Sequence, residues 1–382
     1  MIFTKKTLSL LLLLILGISA CQSRQNTTKK PKDEPIPASQ DSRLTLNNAT
    51  LEQSNADGQV VWKIKVKKAS YSKDQRVGKL EDVKGNLYQN GKVVLYISAD
   101  KGEVYKEGES VFLRENITAT DPRNGTIIKS EEVEWKPKEG LLMVRKNLRG
   151  SQENLSATAL EGKYHTKKQE MELIGKVEAT MREPSLQLKG ERFYWEVLGK
   201  KIKSDLPINI VKFKDKIVTD QAQANRAEVD LKLHQLTAKE NIEYRSVEPP
   251  ISISTNHLVW DYQDRIVHSD VPSRLFHRED LITITSNKTK VDLNSKIAYL
   301  DNGVQGINEK TQAKLYSNQL IWNMITRIVE AQGNVIYEQV KPTKFNFTGD
   351  KAVGSLKENK LVVTGNNQDR VVTEIFPDGK KQ

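Results

Sequence analysis

The chain has 382 residues, a formal net charge of +11, 29% charged residues and 37% hydrophobic residues. Its single cysteine, Cys21, excludes an intrachain disulfide, so stability has to come from burial and hydrogen bonding. The basic balance suits nucleic acid, an anionic membrane or a phosphorylated glycolipid, or it serves only to keep the surface soluble.

The first element predicted is an export signal over residues 1–20. Lys5 and Lys6 precede an almost unbroken apolar run at residues 8–20. That run is shorter than the roughly 20 residues a membrane-crossing helix needs, and positive residues followed by a short apolar core define a secretory signal. Removing it takes away two lysines and no acid. Export sets nucleic acid aside as a partner.

Ile18-Ser19-Ala20-Cys21 is similar to a bacterial lipobox, in which cleavage before Cys21 follows lipidation of its sulfur. The alternative is that Cys21 is an unmodified thiol behind an ordinary signal. Residues 21–43 then read as a lipidated N-terminus and a disordered tether. Pro31, Pro35 and Pro37 stand there among polar residues, a composition that cannot bury a core. The folded part is expected over 44–376, with a tail at 377–382.

Within that part four tryptophans, Trp135, Trp195, Trp260 and Trp322, recur at intervals of 60, 65 and 62 residues. Two residues before them stand Val133, Phe193, Leu258 and Leu320; seven after stand Leu142, Ile202, Val267 and Val329. Eighteen before stand Ile117, Val177, Ile242 and Val304, and thirty-one before stand Val104, Tyr164, Val229 and Val291. Shared apolar positions at a fixed period define an internal repeat of roughly sixty residues.

Inside each copy the apolar spacing is two, as in Val111 and Leu113 or Phe193 and Trp195, which is the period of a strand. Trp62, Ile64 and Val66 alternate with Lys63, Lys65 and Lys67 in the same way, and residues 222–231 read as one more alternating element. The pairs Glu115-Asn116, Gly175-Lys176, Glu240-Asn241 and Asn302-Gly303 are read as tight reversals. Pro207 and Pro272, each twelve residues after a tryptophan, are placed where a strand begins or lies at an edge. The expectation is an all-β chain: an elongated β-jellyroll of tandem repeats, its antiparallel sheet folded on itself, since no repeat covers its own apolar face alone.

Chemistry would show as a cluster that breaks the repeat. His165, His234, His257, His268 and His277 have no zinc-site spacing. Residues 85–92 lack the hydroxyl a phosphate loop requires, because Val93 stands there. Glu131, Glu132 and Glu134 would serve a glycosidase only across a cleft from another acid, and alternation puts Glu132 and Glu134 on a solvated face. No catalytic residue, metal or cofactor is expected. What remains is the apolar face, read as an open trough that covers an acyl chain. Its lining is assigned to Trp62, Ile64, Ile117, Trp135, Val177, Trp195, Ile242, Trp260, Val304 and Trp322, with basic residues at the rim facing lipid phosphates. A register error of one residue would turn any of these strands outward.

Leu44-Thr-Leu-Asn-Asn-Ala49, the stretch from Gly58 through Trp62 and Ala69 to Tyr71, and later Asn241-Ile242-Glu243 and Leu258-Val259-Trp260 resemble the LptC family and related LptA/OstA-like repeats. The resemblance spans about 44–376. It implies a periplasmic jellyroll that takes lipopolysaccharide acyl chains from an inner-membrane ABC transporter and passes them to other β-jellyroll bridge proteins by edge-strand addition. Two features depart from the short members: the length, and a lipidated Cys21 where those members carry a membrane helix. The rival expectation is a lipid-anchored structural or polysaccharide-binding β-solenoid of the envelope.

Overall fold

The structure, a computed structural model, describes residues 42–72, 77–105, 110–341, 344–358, 360–365 and 372–376. The signal, Cys21, almost all of the tether and the C-terminal tail lie outside the described residues. The described elements are 26 β-strands, from Ser42–Ser54 to Val372–Phe376, and no helix is among them. Every pairing between them is antiparallel, and the first ten strands form a plain meander in which each pairs with the one before and the one after. This is the all-β, folded antiparallel sheet expected of an elongated β-jellyroll.

Alternation explains the strands. In Val60–Ser72 the side chains of Trp62, Ile64 and Val66 are buried, while Lys63, Lys65 and Lys67 between them are exposed. The pattern repeats from strand to strand and gives one continuous apolar cluster from Trp62 to Trp322. One close approach demands glycine. A Cβ on Gly85 would sit 2.3 Å from the Lys63 carbonyl oxygen on the neighbouring strand, inside any tolerable contact.

The polar pairs read as reversals are not reversals. Glu115-Asn116, Gly175-Lys176, Glu240-Asn241 and Asn302-Gly303 lie in the middle of the strands Val111–Thr120, Glu170–Met181, Gln235–Ser246 and Ile297–Asn308. Both members of each pair have positive φ. Each pair opposes a single residue on the next strand, so Arg114 faces Glu132 and Ile117 faces Ser130 with a shift between them. Two residues against one is a β-bulge, and it bends the strand without ending it. Tight turns and bulges both need residues that tolerate positive φ, so local sequence does not separate them.

The bulges stack from strand to strand and crease the sheet into two walls. Eleven and twelve residues after Trp135 and Trp322 the strand passes the crease through Lys146-Asn147 and Gly333-Asn334, again at positive φ. At the corresponding places after Trp195 and Trp260 stand Pro207 and Pro272, and there the strand breaks in two. Ile208–Lys214 and Ser273–His277 begin immediately after the prolines, as expected.

The walls touch. A Cβ added to Gly150 on one wall would lie 3.4 Å from the Trp195 ring on the other. Tyr244 meets Trp260 edge to face at 5.4 Å, and His277 lies 5.0 Å from Trp322. The tryptophans therefore span the interior, one per repeat, and a small or aromatic partner receives each of these three.

Candidate functional site

All ten residues assigned to the trough are inward-facing, with relative exposure of 4% or less, and all belong to the same core cluster. Ile117, Val177, Ile242 and Val304 each follow a bulge pair directly, so they line the inside of the crease. Trp62 sits on the wall opposite the other four tryptophans. It pairs with Leu87, whereas Tyr71, at the other end of the same strand, is in the row that leads through Gly78, Val104 and Val111 to Trp135. The indole N–H groups of all five tryptophans are buried and donate to nothing.

Over most of this length the two walls pack against one another. At the C-terminal end they part around a cavity of about 470 Å³. Ile282, Ile284, Leu315, Trp322, Tyr337 and Leu361 line it, and Lys314 and Lys360 also contribute. Of the ten expected lining residues, Trp322 is the one that reaches it. A volume between about 300 and 1,000 Å³ with mostly apolar walls is typical of a small-ligand site.

Two glycines contribute to the space. The cross-strand partner of Leu142, Ile202 and Val267 is Tyr164, Val229 and Val291, but the partner of Val329 is Gly354. Sixteen residues before the tryptophans stand Ala119, Ala179 and Tyr244, then Gly306. Gly306 and Gly354 both line the cavity. A copy-by-copy search for large side chains replaced by glycine would have found this site in the sequence; a search for apolar periodicity passes over it.

The free edges of the two walls meet along a seam, held by polar contacts. Near its start the Tyr164 hydroxyl donates to Asp121 at 2.7 Å, Arg123 donates to the Thr166 carbonyl at 2.9 Å, and the Thr166 hydroxyl meets Gln89 at 3.1 Å. Burial, reinforced by the Asp121 carboxylate, pushes the Tyr164 hydroxyl well above the ordinary tyrosine range. Further along, Lys200 meets Glu153 at 2.9 Å, and Arg265 lies 3.6 Å from Asp220 and donates to the Glu248 carbonyl at 3.0 Å. Lys212 donates to the Tyr262 carbonyl, Lys296 pairs with Glu248, and Arg327 pairs with Asp280. Burial draws the Lys212 ammonium below its usual value. The cavity begins past the Arg327–Asp280 pair.

Glu132 and Glu134 are not simply solvated. Glu134 is 8% exposed and lies 3.3 Å from Arg145, and Glu132 is half-buried beneath Lys146 and Arg145, whose contacts hold its carboxyl below the ordinary range. The outer face is covered here by a cross-strand ladder of opposite charges, which alternation alone does not reveal. His277 is buried against Trp322, and burial lowers its basicity despite Asp280 at 3.4 Å. Among the described residues no three His, Cys, Asp or Glu side chains gather as a metal site.

Fold and interior together define a tandem β-jellyroll with an apolar lumen and a polar seam. The family described as lipopolysaccharide-assembly, LptC-related, matches residues 9–182, a stretch that reaches the end of the strand Glu170–Met181. Over that stretch the chain is similar to the LptC-related family, whose role is in lipopolysaccharide transport and whose members are periplasmic, inner-membrane-associated bridge components and not enzymes. No curated protein matches the chain. The strands from Leu186–Glu196 onward continue the same repeat beyond the matched residues.

Proposed function

We propose that this protein holds lipopolysaccharide acyl chains between the two walls of its jellyroll and relays the lipid from an inner-membrane ABC transporter across the periplasm toward the outer membrane. The observation that carries this reading is the C-terminal cavity, where the lumen is apolar and open. A covered path matters because each methylene exposed to water costs about 0.8 kcal/mol.

The remaining parts of the relay follow from the same reading. Residues 1–20 direct export, Cys21 bears the lipid that anchors the chain at the periplasmic face of the inner membrane, residues 21–43 tether it, and residues 44–376 form the carrier ahead of the tail at 377–382. The strand Ser42–Ser54 pairs with Val60–Ser72 on one side, and its other edge offers backbone groups to a strand of another jellyroll. A second reading, a lipid-anchored structural or polysaccharide-binding solenoid, draws support from the closed packing around the other nine expected lining residues.

Site-specific photocrosslinking in cells separates the two. A photoreactive residue at Trp322 or Leu315, and at Trp135, Trp195 and Trp260 in turn, is compared with one at the exposed Lys63. Lipopolysaccharide adducts at the interior positions and none at Lys63 are expected of a carrier. Folded, exported variants that form no adduct at any interior position would leave the scaffold.

A further inference from the structure

Four cations stand at one recurring place along the seam. Lys200, Arg265, Lys296 and Arg327 each occupy the last position of a four-residue turn, with φ of 52°, 59°, 56° and 59°. The shared backbone conformation sends all four side chains across the seam to the facing edge. They meet Glu153, Asp220, Glu248 and Asp280 there.

The two arginine pairs are incompletely satisfied. Nε of Arg265 and Nε of Arg327 are buried without an acceptor, and Oδ2 of Asp220, a residue 1% exposed, is buried without a donor. A buried donor left unmatched is a cost that a purely structural ion pair would be expected to avoid. A guanidinium offers five donors in a fixed fork, and a phosphate presents more charge and more acceptor oxygens than a carboxylate.

We propose that Lys200, Arg265, Lys296 and Arg327 form a file of headgroup-binding cations, and that their carboxylate partners are placeholders exchanged for the phosphate groups of a lipid as its head passes along the seam. The inference rests on the carrier reading above and assigns the residues that would recognise the polar end of the same ligand. The chains occupy the lumen, the head stays at the seam, and the seam returns to its self-paired state behind it. No bond is made or broken; each cation keeps an anionic partner throughout, while the released Glu153 and Glu248 carboxylates turn to solvent and Asp220 and Asp280 keep their contacts with the Tyr244 hydroxyl and with His277.

The test uses the purified full chain and two probes, lipid A bearing two phosphates and the same lipid with the phosphates removed, titrated to equilibrium. In one variant Lys296→Gln and Arg327→Gln are combined; in another their partners are changed, Glu248→Gln and Asp280→Asn. Lys200→Gln and Glu153→Gln, at a pair that is 40% and 63% exposed, supply a matched set with little risk to folding. Exchange requires opposite signs. Loss of the cations weakens binding of the phosphorylated lipid by about tenfold per pair and leaves the dephosphorylated form unchanged, whereas loss of the carboxylates tightens the phosphorylated form. Cation and carboxylate variants that shift binding in the same direction, or wild-type protein that binds both lipids equally, would overturn the exchange while leaving the carrier reading standing. Wild-type protein that binds neither lipid would overturn the carrier reading itself.

Discussion

Replacing Trp195 by phenylalanine should cost this protein almost nothing, although Trp195 is among its most deeply buried side chains. The ring is 1% exposed and spans the lumen to Gly150 on the opposite wall. Phenylalanine loses about 40 Å² of buried ring surface, or roughly 1 kcal/mol at about 25 cal/mol per Å². A residual void on the order of 40 Å³ adds about 1 kcal/mol more. Against these stands the indole N–H, which is buried and donates to nothing. Removing an unsatisfied donor returns about 1–3 kcal/mol, so Trp195→Phe is expected within about 1 kcal/mol of the wild type. Trp195→Ala also removes that donor but leaves a far larger void, and is expected to cost about 3–5 kcal/mol. Urea unfolding followed by far-ultraviolet circular dichroism reads both variants without relying on tryptophan emission, with the slopes compared because a repeat array need not unfold in one step. If Trp195→Phe proves as damaging as Trp195→Ala, the reasoning is wrong: the N–H is satisfied in solution or the indole shape is required.

The start of the seam gives a second prediction. Asp121→Ala takes the acceptor from the Tyr164 hydroxyl and the carboxylate from Arg123, which keeps the Thr166 carbonyl and partial solvent contact, and is expected to destabilise by about 2 kcal/mol, while Tyr164→Phe, which removes one hydroxyl and leaves the Arg123–Asp121 pair intact, should cost about 1 kcal/mol; the two midpoints measured side by side check the order. The third concerns pH. Burial lowers the His277 pKa against the pull of Asp280 and Glu279, with Arg327 and Arg278 also lowering it, so the folded protein binds this proton less tightly than the unfolded chain. Its stability contribution is therefore complete above the unfolded histidine value, about 6.5, and is lost as pH falls through that value toward the lower folded one. His277→Gln is expected to flatten the fall in denaturation midpoint between pH 7 and pH 5; an unchanged pH profile would remove His277 as the cause.

Most of the local structure was legible from residues alone. The alternation of Trp62, Ile64 and Val66 with three lysines specifies a strand and says which face turns inward, because side chains on an extended backbone have a period of two. The recurrence of Trp135, Trp195, Trp260 and Trp322 specifies a repeat, and Pro207 and Pro272 mark where strands begin again. Glu115-Asn116 and its counterparts announced positive φ, but positive φ serves a reversal and a bulge equally. Only pairing with the neighbouring strand, Arg114 with Glu132 and Ile117 with Ser130, made it a bend within a continuing strand.

The same division holds for the site. Sequence determined that one face of every strand is apolar and that its tryptophans share that face. It did not determine that the two inward faces touch, since contact between walls depends on the crease and on which residues meet across the lumen. The tertiary structure decided that Trp195 closes onto Gly150, while Gly306 and Gly354 leave open space beside Trp322. It also brought Lys200 to Glu153 and Arg327 to Asp280, pairs 47 residues apart, because a seam exists only after the sheet has folded back on itself. Periodicity is a property of neighbours along the chain; closure is a property of surfaces that the chain brings together.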